Sequence, residues 1–230
     1  MTDLTSPHGL WLTVLAPDQL EALPTDGLGW LGVDLQHGRY AVADLPGLLR
    51  VARVPVLARA ASGDPAHLGQ VLDTGVSGVI VPSVTSAEGA AALVQAVRFP
   101  PEGVRSSGLT RAVMTGGPER PLLLPMVETA GALADVEAIA ALPGVDGLFV
   151  GPYDLSLSLG RPGVTDAQVV AAIGRVQQAC AQAGLLSGVF SGDRDLDPVL
   201  PTGLDLLALD TDVTVLRRGL EALLGDAGGR

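Results

Sequence analysis

Eight short apolar runs recur along the chain: GLWLTVL, GWLGVDL, VPVLAR, GVIVP, LLLPMV, DGLFVG, LSGVF and DLLALD. Most are continuous rather than alternating, the pattern of strands buried on both faces of a parallel sheet. Between them lie segments with apolar residues at i, i+3 and i+4, as in a helix packed on such a sheet by one face. Leu68, Val71 and Leu72 mark one such segment, and Val169, Ala172, Ile173 and Val176 another. Asp64 before Pro65 predicts an N-cap and an N1 proline for a helix from Pro65 to Thr74. Thr85 with Glu88, and Thr165 with Gln168, have the spacing of capping boxes. Eight strand–helix units in 230 residues predict one domain over 1–230, a (β/α)8 barrel of TIM type. An open doubly wound sheet would give the same alternation, but no G-x-G-x-x-G follows the first strand, which counts against its dinucleotide-binding form.

In a barrel, chemistry sits on the loops that follow the strands. His37, Arg59, Glu128 and Asp154 all fall at or just beyond strand ends. Glu128 follows LLLPMV and Asp154 follows GLFVGPY. Read singly, each acid caps the next helix or pairs with an arginine. Together, at equivalent positions of consecutive units, they predict a site for a hard divalent cation, because oxygen-only donors suit Mg2+ or Mn2+. His37, in Asp34-Leu35-Gln36-His37-Gly38, is a candidate general base or a solvated loop histidine. Arg59 is placed to grip a carboxylate or enolate oxygen, or to pair with a rim acid. Gly151-Pro152-Tyr153 makes a tight turn before Asp154 and reads as substrate-binding or merely structural. Asp73, late in its helix, belongs at the opposite end of the barrel, either solvated or acting across a subunit interface. His67 is expected to be exposed on its helix, Trp11 and Trp30 to pack, and Cys180 to be a small buried hydrophobe.

Composition narrows the chemistry further. All 14 basic residues are arginine, and with no lysine there is no Schiff base, pyridoxal anchor or phosphate-loop lysine, so carbonyl chemistry needs a metal or fixed hydrogen-bond donors. The net charge of -11 argues against nucleic acid and anionic membrane surfaces as partners. No apolar run approaches the roughly 20 residues of a membrane span, and the start of the chain has no basic-then-apolar segment, so a cytoplasmic protein is expected. The single cysteine excludes an internal disulfide.

Val127-Glu128-Thr129, the run PGVDGLFVGPYDLSLSLG, Asp34-x-Gln36-His37-Gly38, and Arg59 followed by GDP at Gly63 together resemble the HpcH/HpaI aldolase and citrate lyase family, in particular its metal-dependent class II pyruvate aldolases. The resemblance implies a barrel of the phosphoenolpyruvate/pyruvate-domain type. Glu128 and Asp154 would bind Mg2+, Mn2+ or Co2+, which chelates a 2-oxo acid. His37 would pair with Asp73 of a neighbouring subunit as the acid/base pair, and Arg59 would stabilise the enolate. The implied reaction is reversible cleavage of a 4-hydroxy-2-oxo acid into pyruvate and an aldehyde. A homo-oligomer, trimer or hexamer, is implied, with the C-terminal helix packing on a neighbour. The alternatives are a thioester lyase of the citrate lyase β-subunit or malyl-CoA type, and a non-catalytic barrel acting as a binding module.

The chain departs from the family pattern in several places. Gln36 stands for a usual Glu, Met126 for a substrate-touching Gln, and Tyr153 for a usual Ala. Arg105-Ser106-Ser107-Gly108 replaces Arg-Gly-x-Gly, and the connection from Arg111 to Glu128 is short. The first three changes are expected to remove a charge near the metal and to narrow or dry the pocket.

Overall fold

The computed structural model describes residues 5–192 and 195–228. Each of the eight apolar runs is a strand: β1 (His8–Leu12), β2 (Trp30–Asp34), β3 (Val56–Arg59), β4 (Gly78–Val81), β5 (Leu122–Val127), β6 (Gly147–Val150), β7 (Leu186–Phe190) and β8 (Leu206–Thr211). All are parallel and pair in sequence order, and β8 returns to β1 to close the barrel. The helices are α1 (Pro17–Glu21), α2 (Leu45–Val51), α3 (Pro65–Asp73), α4 (Ala87–Val97), α5 (Arg111–Met114), α6 (Ala130–Ala134), α7 (Val136–Ala140), α8 (Pro152–Ser158), α9 (Ala167–Ala183) and α10 (Asp212–Gly228).

Local chemistry explains most of the boundaries and corrects three expectations. Asp64 caps α3 as predicted, accepting from the His67 amide, with Pro65 in the first turn. The cap of α4 is Ser86, which accepts from the Gly89 amide, and the cap of α9 is Asp166, which accepts from the Gln168 amide. Thr85 and Thr165 each sit one residue too early, because the following Ser or Asp caps instead. The third difference concerns the seventh unit: among the described residues β7 and β8 are joined by a single 3-10 turn, Asp197–Val199, with no α-helix between them. Pro198, Pro201 and Gly203 interrupt any helical run there.

The barrel strands divide their side chains cleanly by parity. Leu12, Leu31, Val33, Ala58, Val79, Val81, Leu123 and Val150 face the helices in one core cluster. Trp11, Trp30, Leu57, Ile80, Leu124, Met126 and Phe149 fill the interior in a second. Two indoles fit inside so narrow a cylinder because each lies opposite a glycine: Gly9 pairs with Trp30, and Gly32 with Trp11. A Cβ at Gly9 would lie 2.2 Å from the Trp30 ring, and one at Gly32 would lie 2.4 Å from that of Trp11. Trp11 and Trp30 therefore pack, as expected, and Cys180 is buried as well.

Closure depends on a polar lock at the rim. Asp212, the first residue of α10 and only 1% exposed, accepts the consecutive amides of Thr13, Val14 and Leu15 at 3.0, 2.9 and 3.0 Å, and the Thr13 hydroxyl at 2.6 Å. Three aligned amides form a nest that suits one carboxylate, and it joins the last strand–helix corner to the loop after the first strand. Asp212→Ala leaves those donors without an acceptor and is expected to lower stability by about 2–4 kcal/mol, read as a lower urea midpoint, with Asp212→Asn falling between.

Candidate active site

The strand ends bring most of the predicted residues to one mouth. A cavity of about 300 Å3 is lined by His37, Arg59, Gly151, Pro152, Tyr153 and Asp154, together with residues not singled out from sequence: Thr13, Asp34, Phe149, Phe190 and Thr211, with Trp11 and Met126. His37 is exposed on the loop after β2, and Tyr153 is 69% exposed at the edge.

Asp34 organises one side of this mouth. It ends β2, is 2% exposed, and takes Arg59 bidentately, with Nε to Oδ1 at 2.9 Å and Nη2 to Oδ2 at 2.5 Å. Its Oδ1 also accepts the amides of Gln36 at 3.0 Å and His37 at 3.1 Å, while the Trp11 indole reaches Oδ2 at 3.4 Å. Burial alone would raise this carboxyl. The Arg59 hydrogen bond and charge, with the His37 and Gln36 amides, outweigh burial and hold it below the ordinary carboxylate value. The ion pair foreseen as one reading of Arg59 is thus realised, yet the guanidinium still lines the cavity and lies 5.3 Å from the Trp11 ring centroid.

Glu128 lies just outside the cavity wall, at the end of β5, and is 6% exposed. It caps nothing, since Thr129 caps α6. Instead its Oε1 accepts the amide of Ser83 at 2.5 Å, and Ser83 is the one non-glycine with positive φ (61°) among the described residues. A serine in this left-handed region costs about 1 kcal/mol, a strain that aims its N–H at the carboxylate. Oε2 faces Gly151, where a Cβ would lie 3.0 Å from it. Burial pushes the Glu128 carboxyl up from its usual value, the negative charge of Asp154 pushes it further, and the Ser83 amide, Arg59 and His37 oppose the rise.

The donor chemistry fits a divalent cation held by Glu128 and Asp154. Two carboxylates close enough to repel, one of them desolvated, become mutually compatible when a cation lies between them. Among the described residues neither acid makes an ion pair, and no group of three or more His, Cys, Asp or Glu side chains gathers anywhere. A cation held by these two acids would keep positions for water and substrate.

Asp73 is at the far end of the barrel, at the C-terminus of α3. There its Oδ1 accepts from Nη2 of Arg105 at 2.6 Å, and Arg105, 7% exposed, stacks 4.8 Å from the Phe99 ring centroid. His67 is half-buried rather than exposed, because its Nε2 accepts the Ala61 amide at 3.0 Å. Asp34 and Ser83 were missed as site residues. Asp34 carried a signal, as a lone acid within the apolar end of a strand, whereas nothing in the sequence announces the left-handed serine.

A closed parallel barrel with acids, an arginine and a histidine converging at the strand ends is the architecture of a (β/α)8 enzyme. The chain belongs to the HpcH/HpaI aldolase/citrate lyase family, whose model matches residues 8–218. A hydroxypyruvate/pyruvate aldolase of Delftia acidovorans is 35% identical, over 95% of this chain and 87% of that protein. A pyruvate aldolase of Rhizobium etli is 37% identical, over 95% and 91%. The crystal structure of a family protein from Burkholderia cenocepacia aligns with a TM-score of 0.86 and 32% identity, covering 96% of this chain and 95% of that one. Among the described residues no helix is long and apolar enough to cross a membrane.

Because the folded state disfavours the Glu128 charge, Glu128→Gln is expected to raise the thermal midpoint of the metal-free protein. The sign follows from the raised pKa. The gain is present at neutral pH, well above the unfolded value of 4.5, and vanishes below that value, where both states are protonated. Thermal melts in EDTA at two pH values check this.

Proposed function

We propose that the chain is a pyruvate aldolase, a carbon–carbon lyase that reversibly cleaves a 4-hydroxy-2-oxo acid into pyruvate and an aldehyde. The carrying observation is the desolvated Glu128 with the exposed Asp154 beside it, and Arg59 and His37 at the same mouth, in a chain whose relatives are named pyruvate aldolases. Glu128 and Asp154 would hold Mg2+, Mn2+ or Co2+, and a bound divalent cation supplies Lewis-acid polarisation of a 2-oxo acid. Lacking lysine, the chain has no route through a Schiff base.

The remaining roles rest on the family resemblance, and placement at the mouth supports those of His37 and Arg59. His37 is the general base for the C4 hydroxyl: its backbone amide is pinned on Asp34 while its ring stands in the mouth. As that proton leaves, the C4–O bond becomes a carbonyl, the C3–C4 bond breaks, and its electron pair passes to the C2 oxygen as an enolate. Protonation at C3 then yields pyruvate. Asp34 takes the Nε proton and one Nη2 proton of Arg59, so Nη1 and the second Nη2 proton are the donors left for the developing enolate oxygen. Gly151, Pro152 and Tyr153 bound the substrate. Asp73, too remote within one chain, acts on His37 of a neighbouring copy.

Assembly is part of this reading. Helix α10 packs against β1 and β8, yet Leu216, Leu220, Leu223 and Leu224, on one helical face, are 54%, 58%, 68% and 64% exposed. Leu209 on β8 is also exposed, at 39%. So contiguous an apolar stripe on a single chain marks a surface that a second copy covers, and we assign α10 to a homo-oligomeric interface.

Metal-stripped protein resupplied with Mg2+, Mn2+ or Co2+ is expected to release pyruvate from 4-hydroxy-4-methyl-2-oxoglutarate or a related aldol, with Glu128→Ala lowering kcat at least about a hundredfold. Persistence of wild-type turnover in Glu128→Ala or His37→Ala would refute the assignment. Separately inactive His37→Ala and Asp73→Asn proteins, unfolded and refolded together, are expected to recover about a quarter of the wild-type activity, the statistical share when the two groups come from different subunits. Leu220→Glu with Leu223→Glu should reduce the particle to a smaller species in light scattering.

A further inference from the structure

The sequence holds only three Phe, two Trp and two Tyr, yet four of them, Trp11, Phe149, Tyr153 and Phe190, line this one cavity. The Trp11 ring lies 5.6 Å from Phe149 and 5.6 Å from Phe190, so the half-buried Phe190 surfaces a cluster whose other rings, Trp11 and Phe149, are buried beneath it. Met126, 2% exposed and paired with Phe149 across β5 and β6, extends it toward Gly151. Tyr153 stands at the rim, where a ring can close over whatever lies on that surface.

Of the lining's polar side chains, His37, Arg59 and Asp154 serve the reacting centre on the aldolase reading, and both threonines are bonded within the protein. Thr13 gives its only hydroxyl proton to Asp212 at 2.6 Å. The Thr211 hydroxyl is bonded to that of Thr214 at 2.9 Å and accepts the Thr214 amide at 3.1 Å. Arg59, the one arginine in the lining, is matched in charge by Asp34, and the charge of a cation held by Glu128 and Asp154 would be matched by those two acids. A second carboxylate or a phosphate on the substrate would meet no surplus positive charge. A chain of hydroxyls would exchange water for side chains whose hydrogen bonds are committed, and desolvation without replacement is costly. An apolar group loses nothing polar and covers aromatic surface.

We propose that the aldehyde partner of this site is neutral and apolar, an aliphatic or aromatic aldehyde rather than a hydroxylated, carboxylated or phosphorylated one, and that Tyr153 is a specificity-determining residue for it. This rests on the aldolase reading. In the synthetic direction pyruvate loses a C3 proton to base, C3 bonds to the aldehyde carbon, and the carbonyl electron pair moves to the aldehyde oxygen, which takes up a proton. The aldehyde substituent takes no part in these transfers, so its recognition is a matter of surface alone.

The test uses the full-length protein with divalent cation. Solvent exchange of the pyruvate methyl protons, followed by NMR without any aldehyde, reports enolate formation independently of the partner. The kcat/KM for aldol addition is then measured with butanal, benzaldehyde, succinic semialdehyde and glyceraldehyde. Butanal and succinic semialdehyde differ only in a terminal methyl against a carboxylate. Butanal and benzaldehyde are expected to exceed the other two by about tenfold or more, the scale set by hydrophobic pocket contacts. Tyr153→Ala, whose side chain is largely exposed, should lower the benzaldehyde-to-glyceraldehyde ratio about threefold or more, and an unchanged ratio would overturn the role of Tyr153. Addition to succinic semialdehyde or glyceraldehyde with a kcat/KM equal to or above that for butanal would overturn the inference alone. Absence of exchange would remove the aldolase reading and this inference with it.

Discussion

The buried pair of Asp34 and Arg59 is the contact on which the mouth of the barrel depends. A carboxylate as buried as Asp34 would be strongly destabilising without compensation. Compensation comes from two guanidinium bonds, two loop amides and an indole N–H, and each donor is a piece of the site. One acceptor therefore fixes where the His37 loop leaves β2, how the guanidinium of β3 lies, and how Trp11 is turned inside the barrel. The bidentate geometry makes the arrangement angular as well as electrostatic, which lysine could not reproduce. Removing either partner would leave a lone buried charge, so the pair acts as a positioning device whose worth exceeds its net contribution to stability.

On the opposite side of the mouth the energetic sign is reversed. Glu128 is desolvated and repelled by Asp154, and the Ser83 amide that reaches it is held by a left-handed backbone. Stress of this kind persists only where the surroundings over-determine it. The surroundings here are the fully buried β5, the glycine at 151 that leaves Oε2 room, and the Asp212 nest that keeps the cylinder closed. Stabilisation elsewhere in the barrel offsets destabilisation at these acids, and the proposed cation would relieve the repulsion between the two.

How much of this was legible in the chain follows from the range of the interactions involved. The eight strands were, because burial on both faces leaves an uninterrupted apolar run that survives any tertiary detail, as in LLLPMV and GVIVP. The rim positions of His37, Arg59, Glu128 and Asp154 followed from strand ends alone. Asp212 was not legible, since its three partners lie some two hundred residues away at Thr13, Val14 and Leu15, and locally it looks like an ordinary acid at a helix start. The caps at Ser86 and Asp166 were misplaced by one residue because adjacent hydroxyl and acid residues offer competing registers that only packing decides. Trp11 and Trp30 read correctly as packed, but their confinement inside the barrel depends on Gly9 and Gly32 in neighbouring strands, a pairing that requires the closed register.

Two separate features join catalysis to assembly. Asp73 sits at the end of the barrel away from the mouth, held by Arg105, so within one chain the residue set that resembles an acid/base pair is divided between the two ends. Helix α10, which starts at the corner where Asp212 closes the barrel, leaves four leucines of one face exposed. An isolated chain thus has an incomplete proton-transfer pair and an exposed apolar stripe. In the proposed oligomer, covering the stripe would be favourable in proportion to its area, and one chain's Asp73 would meet another's His37. The free energy of association would then do the positioning that the single barrel cannot, and on that proposal an acid at the wrong end of the fold is a residue addressed to a neighbour.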